Sequence, residues 1–231
     1  LIDRSYAYDA NSNITQIDHL AQPTNTQDFA YDPLDRLDSH NKQTSSTAWT
    51  YDLVGNRLTE NTDDYGYDLN SNQLLEIQQP SHTHSYILDN RGNTTQTNNN
   101  GSITTFTYNA ANRPSTVTKE GVTTHYTYNA LGQRTTKTQG ADTTHYIYDL
   151  QGQLTGEYTA DGQPLVEYIY LANQPLAQIR NGQLYYYHND HLGTPQKLTD
   201  QNQQVVWAAS YSAFGEAVLT TEVVENNLRF A

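Results

Sequence analysis

The sequence predicts an all-β protein in which consecutive β-hairpins form a repetitive antiparallel meander, and the meander curls into a curved or spiral ribbon. Three observations predict this fold. A Tyr-Asp or Tyr-Asn pair returns about every twenty residues and is followed each time by a turn. The segments between the turns alternate and are rich in Thr and Tyr, which favour strands. No amphipathic stripe with a 3.6-residue period and helix caps is present.

The repeat is clearest between residues 67 and 148, where the tyrosine position recurs at 67, 88, 108, 128 and 148, in steps of 21, 20, 20 and 20. A fixed period of this length indicates a repeat architecture. Leucine replaces tyrosine at position 88. The pairs are Tyr8-Asp9, Tyr31-Asp32, Tyr51-Asp52, Tyr67-Asp68, Leu88-Asp89, Tyr108-Asn109, Tyr128-Asn129 and Tyr148-Asp149.

Each repeat accommodates two strands of five to seven residues and two short turns. Residues 104–108 alternate, so Phe106 and Tyr108 face one side. Residues 109–112 turn the chain, residues 113–119 return with Val117 inward, and Glu120-Gly121 reverses the chain again. Asn and Asp suit the first turn because their side chains bond to nearby main chain. Gly or Asn stands fourth in these turns, as at Gly55, Gly92, Gly132 and Gly152.

In a meander, strands one repeat apart are two spacings apart, roughly 9.6 Å. We therefore expect Phe106, Tyr126 and Tyr146 to form one row of rings. Tyr108, Tyr128 and Tyr148 form a second row, and residues of the return strands fill the gaps. About ten repeats give roughly twenty strands, and open sheets of that size curl or close.

The repeats drift outside this region. Residues 61–67 are shortened, and residues 80–85 predict a longer turn. After Tyr148 the steps become 22 to Tyr170 and 17 to Tyr187, while residues 204–211 are typical of a strand. We expect one repeat region over residues 1–231, with regular to drifting repeats over 1–184 and a divergent terminal section over 185–231. The chain starts and stops within patterned sequence, which favours a piece of a longer polypeptide.

Composition restricts the partners. The 231 residues hold 12 Lys and Arg against 25 Asp and Glu, so the formal charge is −13. A phosphate backbone needs clustered basic residues, and here they are scattered, so nucleic acid is not an expected partner. No apolar run approaches the roughly 18 residues that span a bilayer. Hydrophobic residues make up only 35% and include 19 Tyr, whose rings can fill a core while their hydroxyls find polar partners.

The sequence offers weak candidates for chemistry, and we expect neither a catalytic site nor a cofactor. There is no Cys, no nucleophile elbow and no phosphate-binding loop. His188, Asp190 and His191 could hold a divalent metal, but the same residues suit a modified repeat turn. His82 and His84 share a face of an extended segment, while His125 and His145 occupy matching repeat positions. The tyrosine rows could stack on sugar rings, although packing between strands is the alternative we favour.

The repeat segments resemble the RHS-repeat, or YD-repeat, family. Residues 51–58 and 148–154 fit its repeat consensus. The more specific match is the ordered series over 187–195, 198–200, 206–207, 211, 214–216 and 227–230, which is similar to the segment before the conserved core end of RHS proteins. The positions to which we assign a structural role in the repeat are Tyr8, Asp9, Tyr31, Asp32, Tyr51, Asp52, Gly55, Tyr67, Asp68, Tyr108, Asn109, Tyr128, Asn129, Gly132, Tyr148, Asp149, Gly152, Tyr187, Gly193, Trp207 and Tyr211.

This resemblance implies a non-catalytic shell segment. The family includes bacterial polymorphic toxins, the C component of insecticidal toxin complexes, wall-associated proteins and teneurins, whose repeats wind a β-ribbon into a hollow shell. In the toxins, the shell holds a C-terminal effector. The implied partners are a downstream toxin or neighbouring repeats, and the implied location is secreted or at the bacterial cell surface. A carbohydrate- or cell-surface-binding adhesion module is the alternative. We also expect open strand edges to promote self-association.

Overall fold

The computed structural model describes residues 3–20 and 25–229; Phe230, the last residue of the sequence series above, lies outside them. These residues form 22 β-strands and no α-helix, and every pairing given below is antiparallel. The predicted all-β hairpin meander is therefore confirmed. The chain divides into two compact units, residues 3–123 and residues 124–229, and the division falls within strand β13. We describe each unit by itself.

In the unit of residues 3–123, each strand from β1 to β11 pairs with the next strand in the sequence. Its strands are β1 Arg4–Tyr8, β2 Ile14–His19, β3 Gln27–Tyr31, β4 Leu37–Lys42, β5 Ser45–Tyr51, β6 Arg57–Glu60, β7 Asp63–Tyr67, β8 Leu74–Gln78, β9 Thr83–Leu88, β10 Thr94–Asn99, β11 Ser102–Tyr108 and β12 Pro114–Lys119.

In the unit of residues 124–229, the same next-neighbour pairing runs from β13 to β22. Its strands are β13 Val122–Tyr128, β14 Arg134–Gln139, β15 Asp142–Tyr148, β16 Leu154–Thr159, β17 Pro164–Leu171, β18 Gln174–Arg180, β19 Gln183–Asn189, β20 Pro195–Thr199, β21 Val205–Tyr211 and β22 Ala217–Glu222. Strand β21 matches the strand that residues 204–211 predict.

In several repeats the second reversal is a two-residue turn in which both residues have positive φ. Glu120 and Gly121 have φ of 51° and 78°, and Asn100-Gly101 and Asn181-Gly182 adopt the same geometry. This turn type matches the right-handed twist of the flanking strands. The first residue of these turns is Asn at positions 100 and 181 but Glu at position 120. Glu120 is unusual there, because a left-handed backbone is costly for a residue other than Gly, Asn or Asp. The reversal expected at Glu120-Gly121 is confirmed.

The longer turn expected over residues 80–85 is wrong. Strand β9 already begins at Thr83, and His84 pairs with Ile77 of β8. The turn is limited to residues 79–82, where the Gln79 amide donates to the His82 carbonyl at 2.9 Å. Residues 83–85 belong to a strand because Thr83 pairs with β8 and the next two residues pair with both β8 and β10.

The densest core lies in the unit of residues 124–229. Leu198 and Trp207 are completely buried there, and they pack with Tyr185, Tyr187 and Val206. Elsewhere most strand residues are only partly buried, which suits a chain with few aliphatic residues. The core therefore coincides with the section in which the repeat pattern drifts.

Candidate functional site

Most of the repeat turns are capped by the side chain of their first residue. At Asp149, Oδ1 accepts hydrogen bonds from the Gln151 and Gln153 amides, both at 2.9 Å. Asn109 and Asn129 use their amide oxygens in the same way. Asp9, Asp32, Asp52, Asp89, Asp190 and Asp200 repeat the pattern. The repeat carboxylates are thus engaged in holding turns.

The fourth residue of these turns has positive φ. Glycine fills the position at Gly55, Gly132, Gly152 and Gly193. Ser12, Asp35 and Gln203 also occupy it, with φ of 71°, 58° and 65°. The fourth position therefore admits more residue types than the Gly or Asn that the sequence indicates, because the side chain at the first position and the flanking strands together hold the turn.

The repeat tyrosines connect each hairpin to the previous one, and we call this set the tyrosine ladder. Each hydroxyl donates to a main-chain carbonyl at the start of the preceding return strand, at 2.7 to 3.0 Å. The donor–acceptor pairs are Tyr31–Ile14, Tyr51–Leu37, Tyr67–Arg57, Tyr108–Thr94, Tyr148–Arg134, Tyr170–Leu154 and Tyr211–Pro195. Leu88 interrupts the series because it has no hydroxyl.

Burial raises the pKa of these phenols, and it raises the pKa of Tyr170 to about 12. The hydroxyls are therefore neutral hydrogen-bond donors near pH 7. They donate hydrogen bonds to main-chain carbonyls. The ladder therefore has a structural role, and the geometry of the sheet and the turns positions each ring.

An arginine of a return strand fills the gap between two rings of one tyrosine row, as the sequence predicts. The guanidinium of Arg134, on β14, lies 5.7 Å from the ring centre of Tyr126 and 4.2 Å from that of Tyr146. Arg57 takes the equivalent place over Tyr65, and Arg36, in a turn, lies over Tyr51. A cation over an aromatic face is attracted by the ring quadrupole. These contacts place single arginines against rings of the tyrosine-bearing face.

After β22 the chain folds back across this face as an irregular segment, residues 223–229, which we call the C-terminal strap. Asn226 is completely buried: Oδ1 accepts from the Tyr187 hydroxyl at 2.9 Å and from the Leu228 amide at 3.1 Å. Gln178 is also completely buried, and it donates to the Glu225 carbonyl at 3.0 Å. Its Oε1 lies 2.8 Å from the Tyr187 hydroxyl, whose single proton it shares with Asn226. The strap is therefore anchored by a buried polar network.

Two further contacts extend the strap over neighbouring strands. Asn227 Nδ2 donates to both carboxylate oxygens of the buried Glu157, at 3.0 and 3.1 Å, and the Tyr168 hydroxyl donates to Glu157 at 2.7 Å. Arg229 stacks over Trp207 at 5.0 Å. Burial raises the pKa of Tyr168 and of Tyr187 far above the usual phenol range. The sequence gives no local signal for Glu157, Gln178 or Asn226, because their partners in the strap lie 39 to 70 residues away.

Tyr187 does not occupy the repeat position that the step of 17 residues assigns to it. That position belongs to Asn189, whose Nδ2 donates to the Pro175 carbonyl at 2.7 Å, as the ladder hydroxyls do elsewhere. Tyr187 points into the core and joins the strap network, while Trp207 lies in the same core. Tyr187 therefore lies two residues before the ladder position, and its structural role in the repeat stays a prediction. Asn189 makes the bond to a main-chain carbonyl that a ladder hydroxyl makes elsewhere.

The candidate metal ligands have separate partners. His188 Nε2 lies 2.9 Å from Thr199 Oγ1, and Asp190 caps its turn with one oxygen while the other accepts from Gln196. His191 is exposed in the turn. His84 stacks on Tyr86, and His82 contacts Ser81. Over residues 3–20 and 25–229, no three His, Cys, Asp or Glu side chains are grouped as metal ligands, and no helix could cross a membrane.

Comparison with known proteins gives two family matches. Residues 184–220 match the family described as RHS protein, and residues 89–121 match the RHS Repeat family. The terminal section and one regular repeat are thus each recognised independently. No curated protein matches the chain.

Solved structures give likenesses of low identity. The crystal structure of TcdB2-TccC3-TEV is 14% identical, with a TM-score of 0.45, over 98% of this chain and 19% of that one. TcdB2-TccC3 without its hypervariable C-terminal region gives the same values. A Photorhabdus luminescens Tc holotoxin pore is 15% identical, with a TM-score of 0.40, over 100% of this chain and 16% of that one. The chain therefore spans less than a fifth of the length of these structures.

Proposed function

Because the chain is an RHS-repeat protein, we propose that it is a non-catalytic segment of a shell that encloses or presents a C-terminal toxin or effector. The observation that carries the proposal is how the repeated polar groups are used. The turn carboxylates bond to turn amides, and the ladder hydroxyls bond to main-chain carbonyls. The polar groups that recur along the repeats thus stabilise the sheet itself, which suits a structural role in a shell.

The proposal extends to organisation and location. Residues 1–231 form a single repeat region, with residues 185–231 as its terminal section, and the region belongs to a secreted or cell-surface bacterial protein. Neighbouring repeats and the downstream effector are its partners. Among the described residues, strand β1 pairs with β2 and strand β22 pairs with β21. Unshielded edges of these two strands would favour association of isolated copies.

Limited proteolysis of the complete gene product tests enclosure. We expect the polypeptide that follows residue 231 to be cleaved at least tenfold more slowly in the intact protein than after deletion of residues 89–128, which removes two hairpins. Mass spectrometry of the released peptides gives both rates. Equal cleavage in the two proteins, or a gene that ends near Ala231, would overturn the proposal.

Adhesion through carbohydrate binding is the second candidate. The exposed rings of Tyr8 and Tyr186 favour it, since an exposed aromatic face can stack on a sugar ring. Most repeat rings, however, are partly buried and hold the ladder. Adhesion predicts saturable glycan binding that falls when Tyr8 and Tyr186 are replaced by Ala. A glycan array without a saturable signal would exclude this candidate.

A further inference from the structure

Asparagine is followed directly by glycine at two places in the sequence, Asn100-Gly101 and Asn181-Gly182. Both pairs form two-residue turns with positive φ at both residues, and all four residues are exposed. A methyl group added to either glycine would meet no atom within 4 Å, so the space over both glycines is open. The two turns are therefore matched in sequence, main-chain geometry and accessibility.

The two turns differ in the partner of the glycine amide. The Gly101 amide donates a hydrogen bond to Oδ1 of Asn98 at 2.8 Å. The residue three positions before the glycine of the other turn is Ile179, whose side chain has no acceptor. In the described part of the chain, no hydrogen bond has the Gly182 amide as its donor. The nitrogen of Gly101 is therefore held by a neighbouring side chain, and that of Gly182 is not.

This difference matters because of the chemistry of an Asn-Gly pair. The main-chain nitrogen of the glycine can attack Cγ of the asparagine side chain, and no side chain on the glycine obstructs the attack. The N–Cγ bond forms and the Cγ–Nδ2 bond breaks, so that Nδ2 leaves as ammonia with the proton of the main-chain amide. Water then opens the cyclic succinimide at either carbonyl and leaves aspartate or isoaspartate. The reaction needs no oxidant and no cofactor.

We propose that Asn181 is a site of spontaneous deamidation in the folded protein, and that Asn98 protects Asn100 from the same reaction. A hydrogen bond to the glycine amide fixes the attacking nitrogen and must break before the ring can close. A bond of this kind shifts an equilibrium about two- to tenfold. The inference goes beyond the proposed enclosing function and does not depend on it, because it concerns two turns of this chain.

Deamidation at Asn181 would alter the hairpin that binds the strap. Arg180 Nη1 lies 3.1 Å from a carboxylate oxygen of Glu225, and Gln178 donates to the Glu225 carbonyl at 3.0 Å. Isoaspartate adds a carbon to the main chain of a two-residue turn whose geometry matches the twist of the flanking strands. Both products also place a new carboxylate on the residue next to Arg180, where it competes with Glu225. We therefore expect the modification to loosen the strap.

Peptide mass spectrometry of the folded chain, incubated at mildly alkaline pH, tests the site. The mass gained when an amide becomes a carboxylate is followed at both asparagines, and an isoaspartate-specific methyltransferase identifies the isomer. We expect Asn181 to deamidate at least threefold faster than Asn100. In urea, where both turns are unfolded, the two rates should converge. Equal rates in the folded chain, or an undiminished difference in urea, would overturn the proposal.

Asn98→Ala tests the cause of the protection, because it removes the acceptor of the Gly101 amide. We expect deamidation at Asn100 to become at least threefold faster, while the rate at Asn181 in the same molecule stays unchanged. Circular dichroism shows that the sheet persists. An unchanged rate at Asn100 in the folded variant would overturn the protective role of Asn98.

Ile179→Asn is the reciprocal variant, because Ile179 and Asn98 take matched places in their hairpins. It offers an acceptor to the Gly182 amide, and we expect deamidation at Asn181 to slow at least threefold. The same rate at Asn181 in a folded Ile179→Asn protein would contradict the role of the missing acceptor. If this variant does not fold, the result with Asn98→Ala decides.

Hydrogen exchange tests the effect on the strap. Ion exchange separates the chain deamidated at Asn181 from the parent, because the product carries one more negative charge. We expect the amides of residues 223–229 to exchange at least twofold faster in the deamidated chain. Asn181→Asp is the control that adds the charge without the extra main-chain carbon. Equal exchange in the deamidated and parent chains would overturn the effect on the strap and leave the deamidation site standing.

Discussion

Removing one hydroxyl from the tyrosine ladder should weaken the protein locally. Tyr148→Phe deletes the donor that bonds to the Arg134 carbonyl at 3.0 Å and leaves the ring in place. A hydrogen bond of this type contributes about 0.5–1.5 kcal/mol net. Because ring burial is preserved, we expect a loss of about 1 kcal/mol, which raises the local opening equilibrium about fivefold.

Native-state hydrogen exchange is the suitable assay, because repeat arrays do not unfold in a single global step. The faster exchange should be concentrated in β14 and β15, which flank the deleted bond. Tyr186→Phe is the matched control, because Tyr186 is 40% exposed and we expect an effect within about 0.5 kcal/mol. If both variants exchange at the same rates in β14 and β15, the ladder does not stabilise the hairpins.

The interruption at Leu88 offers the reverse experiment. By analogy with its neighbours, a tyrosine at position 88 would donate to the Leu74 carbonyl, because Leu74 pairs with the previous repeat tyrosine, Tyr67. Leu88→Tyr should therefore slow exchange in β8 and β9, with a gain of about 0.5–1 kcal/mol. Faster exchange in these strands would show that the site cannot accept the ladder geometry.

Three further predictions concern pH and a turn. Burial raises the pKa of Tyr170 to about 12, so on raising the pH the unfolded chain loses its phenol proton before the folded protein does, and the stability should fall between about pH 10 and pH 12. Tyr170→Phe should reduce this fall, measured as the dependence of the urea midpoint on pH. An unchanged dependence would contradict the assignment. Burial, together with Lys42, lowers the pKa of His40 from its ordinary value of 6.5 to about 4. The unfolded chain therefore takes up the proton first, and the stability of the protein should fall as the pH drops from 6.5 to 4. Nuclear magnetic resonance titration of His40 measures the pKa, and an ordinary value would refute the prediction. Glu120→Asn should stabilise the turn at φ 51° by about 0.5–1 kcal/mol, because Asn tolerates this backbone better; a lower urea midpoint than the parent would contradict this.

Local features of this protein follow from its sequence, whereas distant contacts do not. The Tyr-Asp period predicts the hairpins, and Asn or Asp at the first turn position predicts the caps, because both depend on residues within a few positions. The strap network depends on Glu157 and Asn227, which are 70 residues apart. Nothing near either residue indicates the other. The surroundings of Tyr187 cannot be predicted from the sequence for the same reason, since a core tyrosine and a ladder tyrosine differ only in what surrounds them.

The short reach of the repeat bonds affects how the chain would respond to tension. Each ladder hydroxyl bonds to a carbonyl only 10 to 17 residues earlier, so one hairpin can detach while the next one holds. Pulling on the two termini should therefore unzip the hairpins in succession and give a series of small force steps. When the tension is released, the hairpins should re-form one at a time. The bond between Asn227 of the strap and Glu157 joins residues that are 70 positions apart, so it should form last.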